Sequence, residues 1–171
     1  MSDRPYNVLF LCTGNSARSI MAESILRKDG AGRFKAFSAG SNPSGGVSPL
    51  AVKVLAALDY PTDGLRTKSW DEYATPDAPE MDFIMTVCDT AAGEACPVWP
   101  GKPITAHWGI EDPKTAEGTE IERERAFTQA ARYLRSRISA FLSLPQSSID
   151  HLALEQIGRM EGSTGRMAEA N

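Results

Sequence analysis

The sequence predicts an α/β fold, a parallel sheet with helices on both faces, on three observations. Short apolar runs of strand length alternate with segments of helical spacing. The first such run breaks into a small-residue loop that leads directly into a helix. Three side chains able to do chemistry, Cys12, Cys88 and Asp112, fall at the C-terminal ends of predicted strands or just beyond them, where ligands bind in sheets of this kind. With 171 residues, 42% hydrophobic and 23% charged, the chain suits one compact domain with a real core.

Residues 8–11 have the length and branching of a buried strand, and 19–26 follow with helical spacing, Met21 over Ile25 and Ala22 over Leu26. Gly30, Ala31 and Gly32 end that helix, and 34–38 read as a second strand. After a loop at 39–43, Ser48-Pro49 opens a second helix with proline at its first position, and Leu50, Val54 and Leu58 share one face. Residues 59–68 are rich in turn formers, 69–73 fit a single helical turn, and 81–87 and 104–108 are the third and fourth strands. Phe127, Ala131, Leu134, Ile138 and Phe141 recur at helical spacing, so 119–144 is predicted as the longest helix, stopped by Pro145. The expected organisation is a domain over 1–144 and a C-terminal extension over 145–171. In that extension Ser147 is placed to cap a short helix with Asp150 at its third position, whereas 161–171, small and polar, are expected to be disordered.

The net charge is −4 and no run of Lys or Arg supplies a stripe for tracking phosphates, which argues against a nucleic-acid partner. An anionic substrate therefore has to be held by local geometry. No segment resembles a signal peptide or reaches the length of a membrane span, so no membrane partner is expected and the expected location is the cytoplasm. Three cysteines in a reducing compartment argue against a structural disulfide framework and for catalytic or redox use.

Between the first strand and the first helix, Cys12 and Arg18 are separated by five residues. In such a loop the backbone N–H groups of Thr13, Gly14, Asn15, Ser16, Ala17 and Arg18 curl toward one point at a helix N-terminus, which is an anion cradle. The Arg18 side chain adds a planar fork that matches two oxygens of a tetrahedral oxyanion. The same field favours thiolate over thiol, making Cys12 the candidate nucleophile. The alternative, a small buried hydrophobe above an ordinary turn, does not explain the strand, loop, arginine and helix arriving in that order. Pro113 holds Asp112 extended, where its carboxyl is placed either to act as a general acid or to cap a turn. His107 reads as a packed strand residue. Cys88 and Cys96 are too far apart in sequence for a zinc knuckle, which leaves two inert thiols or a redox pair whose flexible linker lets Cys88 meet first Cys12 and then Cys96.

The run from Cys12 to Ser19, with Met21-Ala22-Glu23, Ser38-Ala39-Gly40, Cys96-Pro97, His107-Trp108-Gly109 and Asp112-Pro113, resembles arsenate reductases built on the low-molecular-weight tyrosine phosphatase fold. The resemblance covers residues 6–144. It implies a four-stranded parallel sheet in flavodoxin-like order, Cys12 as nucleophile, Arg18 as oxyanion clamp, Ser19 as hydrogen-bond partner of the thiolate, and Asp112 as acid. It also implies Cys88 and Cys96 as relay thiols, arsenate as substrate with phosphate or sulfate as competing oxyanions, and no tightly bound cofactor. Some members bind a potassium ion near the loop, and the matching positions here are Asn15, Glu23, Ser38, Ser69 and Asp71. Three departures stand out. Ala17 replaces a second loop cysteine. Seven residues separate Cys88 from Cys96, a spacing that leaves both thioredoxin and glutathione with glutaredoxin open as reductant. Lys114 follows Asp112-Pro113 where the phosphatases carry an aromatic residue, which leans against the phosphatase. The reading is an arsenate reductase, with a tyrosine phosphatase and a non-catalytic redox-sensing or oxyanion-binding module as its alternatives.

Overall fold

The computed structural model describes residues 4–88 and 101–163. Four strands, β1 (Tyr6–Cys12), β2 (Phe34–Gly40), β3 (Phe83–Thr86) and β4 (Ile104–His107), form one sheet in the order β2-β1-β3-β4, with every pair parallel. The helices are α1 (Arg18–Asp29), α2 (Pro49–Ala57), α3 (Glu120–Ser143) and α4 (His151–Gly158). After β1 the chain crosses to one side to make β2 and returns to the other to make β3. The connections therefore diverge above the C-terminal end of β1, the position where such sheets open a binding crevice.

Both faces of β1 are covered, which is why residues 8–11 read as a continuous apolar run rather than an alternating one. Val8, Phe10 and Cys12 point into the larger core, shared with Met21, Ile25 and Leu26 of α1, Val54 and Leu55 of α2, Phe127, Leu134 and Ile138 of α3, and Leu154 of α4. Phe141 of α3 ties three parts of the sheet together, its ring centroid 4.7 Å from Phe34, 5.5 Å from Phe83 and 6.0 Å from Trp108. Leu9 and Leu11 point the other way, into a cluster with Ala39, Ile84, Met81 and Trp70. Trp70 belongs to the 3-10 turn Trp70–Tyr73, which stands where a single helical turn is predicted. Thr119 and Glu122 cap α3 reciprocally, so the longest helix starts where its side chains dictate.

The C-terminal extension departs from the sequence reading at two points. Ser147 does not cap a helix. It lies inside the 3-10 turn Gln146–Ser148, closed by Ser148 N–H on Pro145 O, and Asp150, extended at φ −138 and ψ 175, becomes the cap of α4 by accepting from Ala153 N–H. Residues 161–163, in the stretch expected to be disordered, are tied to the domain by backbone contacts. The fully buried Arg137 guanidinium gathers the carbonyls of Tyr133, Gly158, Met160 and Glu161, and Ser163 bridges antiparallel to Ile110. Residues 164–171 lie outside the described residues.

Against β4, α4 docks through Trp108 Nε1, which donates to Leu154 O at 2.9 Å, and through the Glu155 carboxylate, which accepts from His107 N–H at 3.2 Å. The approach depends on Gly158, where a Cβ would collide with the His107 carbonyl oxygen. Gly158→Ala is therefore expected to lower unfolding free energy by about 1–3 kcal/mol, read as a reduced urea midpoint. An unchanged midpoint would show that α4 does not sit this close to β4 in solution.

Candidate active site

Cys12 ends β1 and is 4% exposed. Two groups lie on its sulfur, the Ser19 hydroxyl at 2.8 Å and the Asn15 backbone N–H at 3.2 Å. Helix α1 begins within the loop, and its start is bare: Ala17 stands at the N-cap with no side-chain acceptor, and the first turn contains no acid. Its unpaired N–H groups and the positive end of its dipole are left for a ligand. The resulting pocket, about 250 Å³, is floored by Cys12, Thr13, Gly14, Ser16, Ala17 and Arg18, with Asn42, Ser44, Asp112 and Lys114 around its mouth.

Asn15 sets the shape of this loop. It is fully buried and left-handed, at φ 49, a conformation asparagine tolerates better than other side chains bearing a Cβ. Its Oδ1 accepts from the Lys68 backbone N–H at 2.9 Å, and because a backbone N–H can only donate, this contact fixes which end of the amide is which. Nδ2 then donates to Ser19 Oγ at 2.8 Å and to Ser38 Oγ at 3.1 Å. Ser19 Oγ, which accepts from Asn15, keeps its own proton available to donate to the Cys12 sulfur 2.8 Å away. Thr67 Oγ1 closes the set by donating to Asn15 O at 2.9 Å. Below the loop, Gly40 is the point of close approach to β2, since a Cβ there would stand 2.5 Å from Thr13 O and 3.0 Å from Asn15 Cβ.

The five positions matched to a potassium site do not come together as one. Asn15, Ser38 and Glu23 form a chain, with Ser38 Oγ donating to Glu23 Oε1, but the cation among them is the Lys68 ammonium. Its Nζ lies 3.4 Å from Ser38 Oγ and 3.9 Å from Glu23 Oε1 and donates to Arg66 O at 2.8 Å. Ser69 Oγ is used in capping the 3-10 turn, where it accepts from Asp71 N–H, and Asp71 is exposed. An ammonium occupies the acidic end, Asn15 Oδ1 and Ser69 Oγ accept from backbone N–H groups, and Asp71 faces solvent, so in this arrangement the five side chains do not form a potassium cage. Burial lowers the pKa of Lys68 from the ordinary lysine value, with the Glu23 charge opposing that shift.

On the far side of the mouth, Arg18 Nη1 donates to Ile110 O at 2.9 Å and Nη2 stands 3.5 Å from Asp112 Oδ2. The turn-capping reading of Asp112 is seen directly, since its other oxygen accepts from Lys114 N–H and caps the turn Pro113–Thr115, while the carboxyl also stands at the mouth of the pocket. Cys88, 2% exposed, follows β3 beside β1 and lies 3.5 Å from Thr13 Oγ1 within the anion loop. Cys96 lies outside the described residues. His107 is a packed strand residue, its Nδ1 2.7 Å from Thr86 Oγ1. Two residues escape the sequence reading. Lys68 and Thr67 sit in a turn-rich stretch with no pattern of their own, and long-range contacts with Gly40 and Asn15 bring them under the loop. Lys114 carries one further contact, Nζ donating to Ser16 Oγ at 2.6 Å.

The family model described as low molecular weight phosphotyrosine protein phosphatase matches residues 7–151. An arsenate reductase of Oceanobacillus iheyensis is 34% identical over 134 residues, 78% of this chain and 93% of that protein. The crystal structure of arsenate reductase from Archaeoglobus fulgidus is 29% identical with a TM-score of 0.56, over 77% of this chain and 98% of that one. A low molecular weight phosphotyrosine phosphatase of Vibrio cholerae, 23% identical with a TM-score of 0.65 over 84% of this chain and 99% of that one, shares the fold.

Cys12 should be the fastest of the three thiols to react with iodoacetamide at pH 6, and Ser19→Ala should slow it by roughly tenfold. Equal rates for all three thiols in the reduced protein would remove the assignment of Cys12 as the activated sulfur.

Proposed function

We propose that this chain, which belongs to the low molecular weight phosphotyrosine protein phosphatase family, is a thiol-dependent arsenate reductase. The observation that carries this reading is the second thiol, Cys88, set 3.5 Å from Thr13 of the anion loop. A phosphatase needs only water to clear its phosphocysteine and has no use for a sulfur there, whereas a reductase needs one.

Arsenate binds with its oxygens on the loop N–H groups and the Arg18 fork, displacing Arg18 from its contact with Asp112. The Cys12 thiolate attacks arsenic, and Asp112 protonates the oxygen that leaves as water, giving an arseno-cysteine. The Cys88 thiolate then attacks Cys12 Sγ. The sulfur–arsenic bond breaks, its electron pair stays on arsenic, and arsenite departs as two thiols become the Cys12–Cys88 disulfide. Attack by Cys96 on Cys88 moves the oxidation outward and returns Cys12 to its starting state, and thioredoxin or glutathione with glutaredoxin reduces the Cys88–Cys96 disulfide. Such a cycle belongs in a reducing compartment, and we place it in the cytoplasm. Among the described residues no helix is long and apolar enough to cross a membrane.

The deciding experiment is arsenate-dependent consumption of reductant by the pure protein, run with each of the two thiol systems. Hydrolysis of aryl phosphates without arsenate-dependent thiol oxidation would establish the phosphatase alternative, and neither activity would leave a binding module. Asp112→Asn should slow the first chemical step by roughly 10²-fold or more with little change in oxyanion affinity. A variant with wild-type single-turnover arsenite release would reduce Asp112 to its turn-capping role. Cys96→Ser should release about one arsenite per enzyme and stop as a Cys12–Cys88 disulfide, while Cys88→Ser should stall before release. Accumulation of a Cys12–Cys96 disulfide in the wild type, read by peptide mapping, would overturn this order.

A further inference from the structure

We infer that Lys114 is a specificity-determining residue, a second cation at the mouth of the pocket that selects a free tetrahedral oxyanion over its organic esters. The inference rests on the reading of the pocket as an oxyanion site and adds what distinguishes one oxyanion ligand from another. Pro113 fixes the backbone between Asp112 and Lys114, and the Asp112 carboxylate takes the Lys114 N–H, so the lysine is aimed by the same turn that aims the acid. Its ammonium crosses the mouth to the opposite wall, where Nζ donates to Ser16 Oγ at 2.6 Å and would lie 3.7 Å from a Cβ on Gly14.

That contact leaves the charge of Lys114 unmatched. A hydroxyl is a neutral partner, and among the described residues no carboxylate pairs with the Lys114 ammonium. Arg18 and the bare start of α1 bring two further sources of positive potential to the same 250 Å³, against the single carboxylate of Asp112. A local excess of this kind in a chain of net charge −4 favours a ligand with more than one negative charge.

Geometry then separates ligand classes. A tetrahedral oxyanion attacked in line by Cys12 directs three oxygens at the loop and the fourth out through the mouth. On inorganic arsenate or phosphate that fourth oxygen is bare, and an ammonium hanging over Gly14 and Ser16 is placed to hydrogen-bond it or its neighbour. On an aryl ester the same oxygen carries a ring, which would have to displace the ammonium and strip its hydration while offering no acceptor in return. Lys114 thus contributes attraction to one class and an obstacle to the other, the two halves of specificity.

Calorimetric titration of the reduced full chain with inorganic phosphate and with phenyl phosphate, neither of which can be reduced, tests this without turnover. Lys114→Met should weaken inorganic phosphate about tenfold or more and change phenyl phosphate less than threefold, while Lys114→Arg should keep most of the wild-type preference. Circular dichroism of the variants confirms that the exposed rim position leaves the fold intact. Equal weakening of both ligands would make Lys114 a general attractor and overturn the proposal, as would an unchanged affinity for phosphate. Reductase activity is measured in parallel. If the wild type consumes no reductant with arsenate yet Lys114→Met still loses phosphate selectively, the reductase reading fails and the role of Lys114 stands.

Discussion

The site depends on one buried asparagine held in a left-handed conformation. Asn15 turns the chain so that the loop closes above α1, and its amide makes contact with three separate segments: Ser19 in α1, Ser38 in β2 and the Lys68 backbone ahead of the 3-10 turn. The floor of the pocket follows from that fixation. The Ser19 oxygen is held in place by the Asn15 amide, and the loop lies close on β2 because Gly40 leaves room for it. Aspartate at this position would be left with no donor for Ser19 and Ser38, and alanine would have neither the conformational tolerance nor the contacts.

What the sequence revealed was what is local. Residues 8–26 announce a strand, an anion loop and a helix because all three are encoded within one short stretch, and the cap of α3 lies within four residues at Thr119 and Glu122. The position of Cys88 at the sheet's C-terminal edge is likewise legible from the strand pattern, while its place beside β1 rests on the strand order that the resemblance implies. Lys68 was not legible. Its ammonium reaches Glu23 and Ser38 across a fold-level contact, and nothing in the turn around it signals burial; a family pattern of polar residues reads as an ion site until the neighbour that fills it is known. The extension misled for a related reason. Ser147 and Asp150 are both competent caps, and the choice between them is made by the turn after Pro145, while the order at 161–163 comes from Arg137, many residues upstream in α3.

Charge is distributed against its own average. An acidic surface repels anions over long distances, but the pocket concentrates Arg18, Lys114 and the start of α1, with Lys68 buried beneath the loop. Salt screens the first effect more than the second, because the long-range field acts through solvent and the pocket acts at contact. Affinity for an oxyanion is therefore set by the few residues around Cys12 rather than by the protein as a whole.

The docking of α4 on β4 has a consequence for the sheet as an assembly surface. β4 is an edge strand, and an edge strand offers outward-facing backbone groups to any strand that approaches. Here two of those groups are already taken by side chains, His107 N–H by Glu155 and Thr105 O by the His151 ring, and Gly158 lets the helix backbone lie close against the His107 carbonyl. The sheet is thus closed to recruitment of a foreign strand on the side that carries the acid loop. At this edge, growth by strand addition, the route to edge-to-edge aggregates, has to begin by peeling away a helix whose end carbonyls a buried arginine holds.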